Sequence, residues 1–417
     1  MSFKQWREWT RSKPFYLQWF IWLVLLRPVV DSLYFLKEIS PLVSPPYIVG
    51  LLTPVMAIYA IVRTRKPAPS RIDLHFRVWA AFVLFGCAFI YFFDPLSLLT
   101  VEFLLKLSMP IYLFFFLRRF ITSRKDLNGI LQTMLYAGLF VAFMLIYEVL
   151  INPIRVVESR GLARIQGNFG DVVSYGNYIV FCVLIAGYFL LSATRPIMKK
   201  RTITLIIVTG VGLLGLFNIH HIASYITFAA VIALFFIYNM RSNHDTGLIF
   251  VVIAAVAVFY LAGDPVQDAI EQRMSPLLEQ DLKVYQGELA EERLFHGRVG
   301  RWKNMWNIFS EQSVFAQFFG YPLTMQYAYH FVGIGSHNDF IRLLFFTGYF
   351  GLLVYIMLLV QIFKKAMTLS NALRFLVIGS LVILGLYSVS ITPTFYAPFM
   401  YLIMSIFAFT ALPMRNT

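Results

Sequence analysis

The chain has 417 residues, of which 59% are hydrophobic, 17% aromatic and only 13% charged, with a formal net charge of +14 and a mean hydropathy of +0.71. Soluble globular proteins carry about 25% charged residues, so a soluble fold is excluded, and repeated apolar stretches of about 20 residues fit helices that cross the hydrocarbon core. The stretches do not alternate as the ~10-residue strands of an outer-membrane barrel do. The expected fold is an all-α, polytopic integral membrane protein. Its positive charge is expected to serve topology, with membrane lipids and not nucleic acid as the partner.

Twelve spans are predicted in chain order, at about 15–34, 47–62, 77–93, 98–117, 130–151, 174–192, 202–218, 222–240, 248–263, 339–363, 374–391 and 394–411. The first follows Lys4, Arg7, Arg11 and Lys13, as a signal peptide would. Arg27-Pro28 interrupts it and no small-residue cleavage site follows, so it reads as a retained span. With the N-terminus in the cytoplasm, that basic tail falls inside, together with Arg63 to Arg77, Arg118 to Lys125, Arg195 to Arg201, Arg241, Lys364, Lys365, Arg374 and Arg415. This positive-inside alternation predicts that both termini are cytoplasmic. The chain then divides into residues 1–263 (spans one to nine, with a short external loop at 152–173), a long external loop at 264–338, and residues 339–417 (the last three spans). Cys87 and Cys182 both lie in apolar runs, which leaves no disulfide framework and no cysteine-rich metal site.

Most of the cations left outside sit in two loops. The first, NPIRVVESRGLARIQGNFGDVV, carries Arg155, Arg160 and Arg164 among Gly161, Gly167 and Gly170. Arginine grips a diphosphate bidentately and keeps its charge, and glycines let backbone N–H groups approach phosphate closely. A basic loop that only touches lipid headgroups is the alternative. The long loop opens acidic, with helical character, and turns basic and aromatic. At 100° per residue Arg298, Trp302, Met305 and Phe309 share one face, Lys303, Asn304 and Asn307 lie opposite, and Arg301 flanks the stripe. Two readings stand. One is an amphipathic helix on the membrane surface, its arginines reaching lipid phosphates. The other is a grip on a phosphate-bearing lipid substrate.

Just before the tenth span the chain reads SHNDFIRLLFFTGYFG. Ser336, Asn338 and Asp339 are natural N-caps. His337 would sit at the positive end of the helix dipole, which favours a neutral ring able to take a proton. It is a candidate general base for a hydroxyl, or a capping-region histidine. Arg342, one turn further in, needs a partner or a polar cavity. Gly348 and Gly351 allow close helix packing. Arg27 with Asp31, and Glu102 with Lys106, are i, i+4 pairs inside spans, able to neutralise themselves or to line a polar cavity. His220 and His221 open a span with no further ligands nearby, a weak basis for a metal site. There is no P-loop, HExxH or GxSxG, and no external Asp-x-Asp, so a diphosphate handled outside would have to be held by arginines.

In order and sidedness these motifs resemble the O-antigen ligase and polymerase superfamily. RIQGNFGDVVSYGNYI (Arg164–Ile179) is similar to its external Arg-x-x-Gly-x-Phe segment. HGRVGRWKNMW, Phe319-Gly-Tyr-Pro and SHNDFIRLLFFTGYFGLL resemble its long-loop pattern, an Arg before a Trp and His-Asn before a Leu-rich helix. The resemblance covers about residues 150–360 for motifs and nearly the whole chain for topology. It implies a GT-C-like fold in a bacterial inner membrane. The implied activity is metal-independent and cofactor-free glycan transfer from undecaprenyl diphosphate. Arg164 and Arg298 or Arg301, with Arg160, would bind the diphosphate, and His337 would activate the acceptor hydroxyl. Asn338, Arg342 and His221 would line the cavity. The family's Ser-Arg pair at a mid-chain span has only Ser224 here, in HHIASY.

The resemblance points first to a polymerase joining lipid-linked repeat units, with a flippase and a chain-length regulator as partners. A ligase using a lipid A core or protein acceptor is the alternative within the family. Outside it stand another GT-C sugar transferase, with Asp31 or Glu38 as its acidic residue, and a transporter built on the in-span ion pairs.

Overall fold

The computed structural model describes residues 2–93, 97–159, 162–166, 169, 172–192, 221–240, 275–320 and 337–413, with single positions at 210, 212, 215, 218 and 219. The first half runs through α1 (Phe3–Arg11), α2 (Phe15–Ser32), α3 (Phe35–Ile39), α4 (Pro45–Arg63), α5 (Arg71–Phe93), α6 (Leu98–Phe120) and α7 (Arg124–Leu150). A hairpin of β1 (Val156–Ser159) and β2 (Leu162–Ile165) leads into α8 (Val172–Leu191) and α9 (Ile222–Met240). Within the expected long loop lie α10 (Ser275–Tyr285), α11 (Leu294–Ser310) and α12 (Val314–Phe319). The chain closes with α13 (Asp339–Met367), α14 (Asn371–Ser390) and α15 (Ala397–Thr410).

This is an all-α membrane architecture, with one two-stranded hairpin as the sheet among the described residues. Ten of the predicted spans coincide with helices. Among the described residues, seven of these are long and apolar enough to cross a bilayer: α4, α6, α7, α8, α9, α13 and α14. The predicted spans at 202–218 and 248–263 fall largely outside the described residues. The segment expected at 394–411 forms only the 14 residues of α15, about 21 Å at 1.5 Å per residue. Almost every α15 side chain is buried, Phe399, Leu402, Ile403 and Phe409 completely. It packs along α6, whose Phe103, Leu113, Phe114 and Leu117 are also at zero exposure. A helix apolar all round belongs in the interior, and α15 is the central strut of the bundle.

Short connections make the long helices alternate in direction. The hairpin marks one end of the bundle. There α2 stops, α4 starts, α7 passes to α8, α9 and α13 start, and α14 turns into α15. Tyr178 of α8 donates to Asp31 Oδ2 near the end of α2 (3.3 Å). Ser224 and Tyr387 join the start of α9 to the last turn of α14 (2.8 Å).

At the opposite end the contacts are dense and self-satisfied. Arg118 is 3% exposed; its Nε donates to Asp73 Oδ1 at 3.1 Å, and its guanidinium also reaches the carbonyls of Ala68 (2.9 Å) and Ala411 (3.0 Å). The N-terminal α1, opened by a capping box between Ser2 and Gln5, buries Trp6 and Trp9 on α7. Trp6 Nε1 donates to Thr133 Oγ1 (2.9 Å), and Lys13 pairs with Asp126 at 2.6 Å.

The close packing expected at Gly348 takes a sharper form. Gly348 breaks α13 with φ 66° and ψ −175°, a backbone conformation that suits glycine. A Cβ on Gly348 would meet the backbone of Phe318 and Gly320, and one on Gly320 (φ 102°) would meet that of Phe346 and Thr347. Two glycines therefore let the end of α12 press backbone to backbone on the break in α13.

Candidate functional site

The hairpin end holds a cavity of about 370 Å³ between α2, α3, α4, α6, the first turn of α8 and the corner before α15. Five charged side chains line it: Arg27, Asp31, Lys37, Glu102 and Lys106. Both predicted i, i+4 pairs form, Arg27 Nε–Asp31 Oδ1 at 2.8 Å and Lys106 Nζ–Glu102 Oε1 at 2.8 Å. A third partner comes from a distant segment: Lys37 Nζ sits 2.9 and 3.0 Å from the two Glu102 oxygens. Between the charges stand Tyr34, Tyr47, Tyr112, Tyr396 and Tyr401, with Phe395 and the hydroxyls of Thr53, Ser174 and Thr392. Two lysines thus share one carboxylate in a chamber of phenols and hydroxyls. Such a surface can take an anion and hydrogen-bond its hydroxyl groups.

Arg164 lies in the hairpin, paired in register with Val157 and partly buried, next to Ile165 and Gln166, which are buried. Gln166 ties the turn down, its amide donating to the Arg155 carbonyl (3.0 Å) and its side chain to that of Phe169 (2.8 Å). Phe169 is buried against Tyr175 and Tyr178 of α8, so the loop is anchored where α8 begins. Arg160 lies outside the described residues.

The predicted face of Arg298 to Phe309 is the one α11 uses. Met305 and Phe309 are buried, Arg298, Arg301 and Trp302 are half-buried, and Lys303, Asn304 and Asn307 are exposed. Phe309 lies against Phe345 (5.1 Å between centroids) and Tyr349 (5.2 Å) of α13, which seats α11 on the first turns of that helix. On its outer face Lys303 donates to Glu292 at 2.8 Å. That hydrogen bond lowers the Glu292 pKa and raises that of Lys303. Lys283 and Glu279 on α10 do the same to each other at 2.6 Å.

Of the three expected caps, Asn338 is the one that caps α13, accepting from the Ile341 amide at 3.1 Å. His337 immediately precedes it, exposed and with φ 45°, at the positive end of the helix. Arg342 finds its expected partner. Its Nε donates to Asp339 Oδ1 (2.7 Å) and a terminal nitrogen to Thr394 Oγ1 (2.6 Å). The guanidinium lies 4.5 Å from the ring centroid of Phe395. Arg342 stands beside Phe395, a ring that lines the Glu102 chamber. His221 belongs to a separate cluster, its Nδ1 2.8 Å from Ser224 Oγ, which is 2.8 Å from the Tyr387 hydroxyl. Among the described residues no group of three or more His, Cys, Asp or Glu side chains is placed to hold a metal ion.

Sequence reasoning found the two ion pairs and offered a polar cavity lined by them as one alternative, but it missed Lys37. Lys37 stands in a five-residue helix just past the first span, and its approach to Glu102 is tertiary. The signal that would have found it is the number of ionisable groups near span ends, which are costly in lipid and default to function.

The fold and this polar chamber define a polytopic α-helical membrane protein. No family model matches the chain, and no curated protein matches it either.

Proposed function

We propose that the protein is a glycan polymerase of the bacterial inner membrane, with both termini in the cytoplasm. It would join undecaprenyl-diphosphate-linked repeat units at the outer face without a metal. The observation that carries this reading is that three expected elements share one end of the bundle. The arginine hairpin is anchored on α8, the arginine helix α11 is seated on α13, and His337 precedes the cap of that same α13. Breaking an anomeric C–O bond to a diphosphate leaves negative charge on the departing oxygen, and fixed cations stabilise that charge as it develops. Arg164 with Arg298 or Arg301 would supply them. A neutral His337 would take the acceptor's proton as the new bond forms. Two substrates held at one membrane face gain proximity.

The test is purified protein with an undecaprenyl-diphosphate oligosaccharide and EDTA, scored for product length and released lipid diphosphate. Longer lipid-linked glycans are the expected result. Transfer only after a core-lipid acceptor is added would make the protein a ligase. A second reading has its own observation: Asp31, at the end of the first long helix, lines the cavity, where a GT-C sugar transferase would carry its acidic residue. Loss of activity in Asp31→Asn with His337→Ala tolerated would favour that enzyme.

A further inference from the structure

The chamber around Glu102 is not lined by the arginines and histidine of the proposed reaction. Three cations (Arg27, Lys37 and Lys106) and two carboxylates (Asp31 and Glu102) line it. Among these lining residues one positive charge is therefore in excess. Ionisable groups at membrane depth carry a high desolvation cost and persist where they serve a ligand or a pathway. Two other ion pairs in this protein are sealed. Arg118 with Asp73, and Arg342 with Asp339, are 4% exposed or less. The Lys37 and Lys106 side chains remain 24% and 32% exposed while holding one carboxylate that is 16% exposed. They form a clamp with its open side to the cavity.

One wall of the chamber is apolar. Gly50 and Leu51 of α4 line the cavity, a Cβ on Gly50 would meet only open space, and Leu51, Leu52 and Val55 are exposed along the same helix. A charged chamber that opens beside a lipid-facing helix suits a molecule with an anionic head and a hydrocarbon tail.

We infer that this cavity is a binding site for the phosphate-bearing headgroup of a lipid, held by Lys37 and Lys106 with Glu102 as the group they exchange for it. The five tyrosines fit a head that also carries hydroxyls. None of Arg164, Arg298 and Arg301 lines the site, and its occupancy is read without turnover, so it stands or falls independently of the transfer reaction. The carboxylate competes with the incoming anion for the same two lysines. Removing a lysine and removing Glu102 therefore act in opposite directions.

The experiment is equilibrium binding of dodecyl phosphate to the full-length protein in phosphatidylcholine nanodiscs, with dodecanol as the uncharged control and inorganic phosphate as competitor. Lys37→Gln and Lys106→Gln are each expected to weaken dodecyl phosphate about tenfold, the worth of one charge-assisted contact. Lys37→Arg should retain binding, and Glu102→Gln should strengthen it about threefold. Unchanged binding in both lysine variants, or loss in Glu102→Gln parallel to theirs, overturns the site; the latter marks a purely structural cluster. Equal binding of dodecanol overturns it too. Displacement of dodecyl phosphate by an equal concentration of inorganic phosphate assigns the anion to solution and overturns the lipid source.

Discussion

The two ends of the bundle handle charge in opposite ways. At the end where α5 begins, Arg118 and Asp73 are closed off, and the guanidinium spends its remaining donors on two backbone carbonyls, one of them Ala411 at the far end of the chain. At the hairpin end, Arg27, Lys37 and Lys106 are also paired, but around a space of about 370 Å³. A satisfied, sealed ion pair holds helices together. Pairs that leave one side open to a cavity keep their charge available. Sequence makes the two look alike, since both are Arg or Lys with Asp or Glu near helix ends.

The comparison is broken first by removing its closed member. Arg118→Ala strands Asp73 in the interior, and loss of one partner of a buried pair costs about 3–5 kcal/mol. Thermal unfolding in detergent is expected to show a protein barely stable or not recoverable. Lys37→Gln, at the open end, should cost below about 1 kcal/mol. Equal losses would erase the distinction between the ends.

Arg164→Ala and His337→Ala sharpen the functional half. Each is expected to lower chain extension about 100-fold or more, the scale of losing one charge-stabilising or proton-accepting group, with the unfolding midpoint unchanged. Near-normal polymer from either variant would sink the site assignment.

A smaller effect is expected at the α12–α13 contact. Gly348→Ala places a side chain at φ 66° against the backbone of Phe318 and Gly320, a strain of about 2 kcal/mol. Limited proteolysis should then cut more readily within 294–319, since α12 loses its seat.

The smallest effect is a pH response of the outer segment. The depressed Glu279 and Glu292 pKa values contribute stability above the ordinary glutamate value of about 4.3, and that contribution disappears as pH falls through their lowered values. The raised Lys283 and Lys303 values contribute below about 10.4 and lose their share as pH rises beyond it. Hydrogen exchange of residues 275–310 should be flat from pH 6 to 8, apart from the intrinsic rate, and show modest loss of protection once the pH falls below the ordinary glutamate value. A change within the neutral window would point to another titrating group.

Much was legible without coordinates. Composition determined a helical membrane protein, because only a chain that satisfies its own backbone can be this apolar. Helical periodicity put Met305 and Phe309 on the buried side of α11 and Lys303 on the wet one, and i, i+4 spacing announced Arg27–Asp31 and Glu102–Lys106. These are local relations, fixed by the 100° turn of one helix. Tertiary structure alone decided the rest. It brought Lys37 to Glu102 across 65 residues and set Arg342 between Asp339, Thr394 and Phe395. It buried the short, uncharged α15 at the centre and broke α13 at Gly348 so that α12 could dock. Each of these depends on which faces of separate helices meet, and no single helix encodes its neighbour's face.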